Sequence, residues 1–195
     1  MSRLTRAAVL ISIAVVAAAG CRSGLPTTQF TNTAFDFSFV QRVAVLPFEN
    51  LSGDREAGIR VTRLMITELL ASGTVEVVEP GEVQAALIEV AGTPPGRAPS
   101  LSTEQVVALG AELSAQTVIV GTVTQLEVLR VGSVATPVVS IDAHMVEAET
   151  GESVWAATHT ETGSSVGARV LGIGGRPMAD TARRCVQGLL KTLIE

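Results

Sequence analysis

Apolar and polar positions along the chain alternate between two periods, and each change of period marks a new element. Val40–Phe48 (VQRVAVLPF) is β-branched and almost continuously apolar, the pattern of a strand buried on both faces, and Pro47 ends its ladder. Asn50-Leu51-Ser52-Gly53-Asp54 is turn chemistry. A helix follows to about Ala71, with Val61, Met65 and Leu69 on one stripe, Arg60, Arg63 and Thr67 opposite, and Ser72-Gly73 closing it. Thr74–Val78 reads as a short strand, and Pro80 suits the first turn of a second helix with the stripe Val83, Leu87, Val90.

Residues 92–100 (GTPPGRAPS) are a loop by composition. Ser102 opens a third helix with Gln105 three positions on, a capping-box spacing, and Val106, Leu109 and Leu113 form its stripe. Gln116–Arg130, Pro137–Glu149 and Glu152–Thr162 are three consecutive strands, separated by Gly132–Pro137 and by a tight Thr150-Gly151 turn. After a glycine-rich loop over 163–176, Pro177 begins a last helix whose stripe is Met178, Ala182, Cys185, Val186, Leu189 and Leu193. The order β-α-β-α-α-β-β-β-α predicts a single α/β domain: a mixed sheet with a C-terminal antiparallel three-strand meander and helices packed on it.

Composition narrows the function classes. Apolar residues make up 47% and charged residues 17% of the 195 residues, enough for a core and too little charge for a disordered chain. Aromatics are 3%, which argues against a surface that stacks bases or sugars. Two of the 14 basic residues, Arg3 and Arg6, fall in the first twenty positions, where no acid lies; the remaining 12 face 19 acids, a balance of −7. Nucleic acid is therefore not an expected partner.

Arg3 and Arg6 precede a thirteen-residue run at 7–19, apolar except for Ser12, that leads into Ala18-Ala19-Gly20-Cys21. The run is short for a membrane span and suits a signal peptide. The small residues before Cys21 resemble the bacterial lipobox, which implies cleavage before Cys21 and acylation of that residue. Arg22, where an Asp would imply inner-membrane retention, points to the outer membrane. Residues 1–20 are then a lipoprotein signal peptide, 21–39 the lipidated Cys and a short tether that docks as it reaches the domain, and 40–195 the domain. Eighteen tether residues reach at most about 60 Å. Cys185 is left without a partner and lies on an apolar stripe, so it reads as a buried, inert thiol.

Three features could carry chemistry. Gly163-Ser164-Ser165-Val166-Gly167 fits the G-x-S-x-G nucleophile pattern, but that class needs an acid and then a His after the Ser, and both histidines precede it. Gly172-Ile173-Gly174-Gly175-Arg176 precedes a helix but lacks the Lys-Ser/Thr of a phosphate loop. The third is Asp142, His144, Trp155 and His159. With a two-residue Thr150-Gly151 turn, Asp142 pairs with His159 and Val146 with Trp155, which puts all four on one sheet face. Two His and one Asp could hold a metal. A solvated sheet face is the commoner origin of such a pattern; the single Trp makes the four a candidate interaction face, with no metal and no cofactor expected, and a periplasmic small-ligand or metal-binding protein is the alternative they would support. A one-residue slip in the turn would invert the faces.

Val43-Ala44-Val45-Leu46-Pro47-Phe48-Glu49-Asn50, Val118-Ile119-Val120-Gly121-Thr122-Val123 and Glu149-Thr150-Gly151-Glu152-Ser153-Val154-Trp155, in that order behind a lipobox, resemble an envelope lipoprotein family. The family includes the curli secretion lipoprotein CsgG, the amino-terminal domain of TolB, the penicillin-binding-protein activator LpoB and the Pel polysaccharide lipoprotein PelC. The resemblance implies a non-enzymatic, lipid-anchored periplasmic protein at the outer membrane. It also implies homo-oligomerisation, and partners among secretion or wall-synthesis proteins. No strand pair is left over for a membrane-spanning hairpin. The short tether favours a membrane-proximal PelC-like scaffold over an LpoB-like synthase activator, which must reach through the wall.

Overall fold

A computed structural model describes residues 27–131, 134–163 and 175–194 of the chain. The signal segment, Cys21, Ser165 and Gly172–Gly174 lie outside the described residues.

Seven strands form one mixed sheet: β1 (Thr28–Thr31), β2 (Arg42–Val45), β3 (Glu49–Asn50), β4 (Glu76–Val77), β5 (Thr117–Val131), β6 (Val134–Glu147) and β7 (Ser153–Thr162). Their order across the sheet is β1-β7-β6-β5-β2-β4, with β3 also on β5. The β2–β4, β2–β5 and β3–β5 pairs are parallel; β5–β6, β6–β7 and β1–β7 are antiparallel. The expected α/β architecture with its C-terminal meander is present.

Four helices flank the sheet: α1 (Ala57–Ser72), α2 (Pro80–Ala91), α3 (Thr103–Leu113) and α4 (Met178–Ile194). Their ends follow the local chemistry. Gly73 and Gly92 take left-handed φ values of 65° and 62°, at the C-caps of α1 and α2. Ser102 and Gln105 form both hydrogen bonds of a capping box on α3.

The two sheet faces bury separate cores. One packs Val43, Val45, Ile119, Ile141 and Met145 against Met65 and Leu69 of α1 and Val186 and Leu189 of α4. The other packs Ala44, Leu46, Val118 and Val146 against Leu87 of α2 and Leu109 and Leu113 of α3. Successive residues Val43, Ala44 and Val45 are all buried, as a strand covered on both faces requires.

Two strands go beyond the expected order. Pro47 has no N–H to donate, so the first strand breaks after Val45 and the chain rejoins β5 at Glu49–Asn50 as β3. The second is β1, from the segment read as tether. Thr28–Thr31 adds to the exposed edge of β7, and Asn32 N–H donates to Val154 O at 2.8 Å. Six residues, 22–27, then separate Cys21 from the sheet. Phe35, Phe37 and Phe39 follow as a small aromatic cluster, with ring centroids 4.8 and 5.1 Å apart.

Candidate functional site

The β6–β7 connection decides what the sheet presents. Its last pair is Glu147 with Glu152, where Glu147 N–H donates to Glu152 O at 2.9 Å. The loop between them holds four residues, Ala148–Gly151, closed by Gly151 at φ 75°. It is two residues longer than the expected turn. A bulge then opposes Val146 to Ser153 but Met145 to Trp155, leaving Val154 extra. Loop and bulge together move the register by one residue. Asp142 pairs with Thr158, and His159 pairs with Ile141. A shift of one turns alternate side chains over, so Asp142, His144, Trp155 and His159 do not share a face.

Trp155 and His159 point toward α4. Trp155 is fully buried and its indole N–H donates to Thr192 Oγ1 at 3.1 Å. His159 is buried, its Nδ1 sharing a hydrogen bond of 2.6 Å with Thr27 Oγ1 and its Nε2 lying 3.6 Å from Glu161. Gly188 on α4 lets the helix approach the ring; a Cβ there would come within 2.5 Å of Nε2. Beside it, Cys185 donates from Sγ to the carbonyls of His159 at 3.2 Å and Val139 at 3.5 Å. Burial pushes the Cys185 thiol up to about 12.

Asp142 and His144 stay on the other face, in the half that α2 and α3 leave uncovered. Two rows cross four strands there: Phe30, Ala156, His144 and Val120, and beside it Thr28, Thr158, Asp142 and Thr122. Phe30 is 53% exposed. Asp142 Oδ1 accepts from Thr158 Oγ1 at 2.6 Å. His144 is exposed on one side and lines a groove on the other, and its partial desolvation there lowers its pKa. Two clefts meet at this ring. One, about 450 Å³, runs under the Ala98–Leu101 loop toward Glu49. The other, about 410 Å³, runs over Ala156 to Phe30.

Two carboxylates (Asp142 and Glu49), one imidazole, a row of hydroxyls and a phenyl ring make a surface suited to recognition. Among the described residues, no group of three or more His, Cys, Asp or Glu is placed to hold a metal. None of the described helices is long and apolar enough to cross a membrane. Phe30 and Thr158 belong to this surface but were not expected there. Phe30 sits in a polar segment with no strand pattern of its own, and Thr158 depends on the register.

No family model matches the chain, and no curated protein matches it. Solved structures do share its fold. The PelC dodecamer from Paraburkholderia phytofirmans is 19% identical, covering 85% of this chain and 96% of that one at a TM-score of 0.57. Lipoprotein GNA1162 from Neisseria meningitidis is 17% identical over 78% of this chain and 97% of that one, with a TM-score of 0.52. The hypothetical protein CT253 from Chlamydia trachomatis is 13% identical over 79% and 95%, with a TM-score of 0.51.

Proposed function

We propose that the protein is a non-enzymatic envelope lipoprotein, anchored through acylated Cys21 in the outer membrane on its periplasmic side. Its domain acts as an oligomeric scaffold or accessory component of an export or assembly system, for polysaccharide or protein. The observation that carries this reading is the fold match to almost the whole of a chain that assembles as a dodecamer. The uncovered half-sheet around Asp142, His144 and Phe30 supports it, because a surface with hydroxyls, an aromatic and two carboxylates resembles a recognition patch. His159 lies on the opposite sheet face from Asp142 and His144, so these three side chains do not converge.

The docked β1 strand sharpens the choice between roles. Residues 22–27 span about 20 Å at most when fully extended. That keeps the domain against its membrane and favours a scaffold over a synthase activator that must cross the wall.

Two measurements test the reading. Metabolic labelling with a radioactive fatty acid should mark the wild-type chain and not Cys21→Ser; equal labelling of both would remove the anchor. Mass measurement of the detergent-extracted full chain should give a discrete oligomer, and a monomer at all concentrations would remove the scaffold.

A further inference from the structure

A groove of about 490 Å³ runs between α1 and α4 on the side of the sheet away from α2 and α3. Val61, Leu64, Leu126, Met178 and Ala182 give it apolar walls, and Arg60 and Arg63 stand at its rim. Arg60 is bonded to Asp54. The exposed Arg63 guanidinium has no partner among the described residues.

Helix α2 presents an exposed face on the opposite side of the sheet. At 100° per residue, Ile88, Gly81, Ala85, Glu89 and Glu82 fall in that order around one arc of its surface. All five are exposed, with Ile88 at 48%. The arc is an apolar ridge with an acidic flank. Glu82 is held by Arg42 at 3.0 Å, whereas Glu89 is unpaired among the described residues.

We propose that the α1–α4 groove of one copy receives the Ile88–Ala85 ridge of α2 from a second copy, with Arg63 facing Glu89. This rests on the oligomeric reading above and names its interface. Charge complementarity selects the occupant. A two-fold contact of groove with groove would set Arg60 and Arg63 against their own copies, whereas ridge in groove pairs opposite charges. Because ridge and groove lie on opposite sides of the sheet, each added copy leaves a fresh ridge and a fresh groove. The contact is therefore head-to-tail, the kind that closes into a ring when the rotation allows.

Charge exchange tests this on the full-length protein extracted from membranes in detergent. Arg63→Glu and Glu89→Arg should each weaken the oligomer by at least about tenfold in dissociation constant, because each sets like charges together. The double exchange should restore most of the affinity, which separates an interface from a folding defect. A chain with Arg63→Cys and Glu89→Cys should form a covalent ladder on mild oxidation in membranes, and each single variant should not. If the wild type is oligomeric and both single exchanges leave its mass unchanged, the interface lies elsewhere and the scaffold reading stands. If the wild type is a monomer at every concentration, the scaffold reading falls and this interface with it.

Discussion

Trp155 is the largest side chain that the fold buries completely, and its indole N–H reaches Thr192 on α4. Removing it should therefore act on folding. Trp155→Ala should cost about 3–5 kcal/mol, read from chemical denaturation, because it opens a cavity in a closed core. His144→Ala, on the exposed face, should stay within about 0.5 kcal/mol. A Trp155→Ala variant of unchanged stability with weakened assembly would instead return this residue to a contact surface. At Cys185 the folded state disfavours the thiolate. Its folded pKa, about 12, lies above the unfolded value, so its contribution is complete below the usual cysteine range and is lost as pH climbs from there toward 12. An alkylating reagent at pH 8 should leave Cys185 unmodified in the native protein and modify it after unfolding; rapid native modification would contradict its burial.

At the scale of elements, β1 is where the segment before residue 40 joins the sheet. Four residue pairs and the Thr27–His159 hydrogen bond hold it to β7, and all four of its residues are exposed. So short an edge strand is marginal without its anchor. Thr27→Val should leave His159 without that partner, costing about 1 kcal/mol. Amide exchange at residues 28–31 should speed up while β5 and β6 stay protected. Unchanged exchange would mean that the strand holds without the latch. Elements with strong local signals were legible in the sequence. The Ser102 capping box, the glycine ends of α1 and α2 and the stripes of α1 and α4 each form as their residues dictate. β1 was not legible as a strand, because Thr-Gln-Phe-Thr has no buried side and owes its conformation to a partner more than a hundred positions away. The face of Trp155 was not legible either. Thr150-Gly151 is a turn signal, but it does not specify the four-residue loop or the bulge at Val154. Those two features moved His159 and Trp155 into the core and left Asp142 and His144 outside. In this strand the apolar residues Val154, Trp155, Ala156 and Ala157 run together, so alternation could not choose the face.

At the scale of the molecule, the helices divide unequally over the sheet. One face is closed by α1 and α4; the other is half covered by α2 and α3, leaving the strip from Phe30 to Thr122 open. A mixed sheet with one half-open face and a grooved helix pair behind it offers two surfaces for the assembly proposed above. The acidic balance of the chain after residue 20, 12 basic against 19 acidic residues, gives such an assembly an acidic surface. The most direct test of this account is the solution mass of the full-length protein, extracted in mild detergent and measured by light scattering after size exclusion. The account predicts one discrete species of many subunits that persists on dilution. A single monomeric species across the accessible concentration range would contradict it.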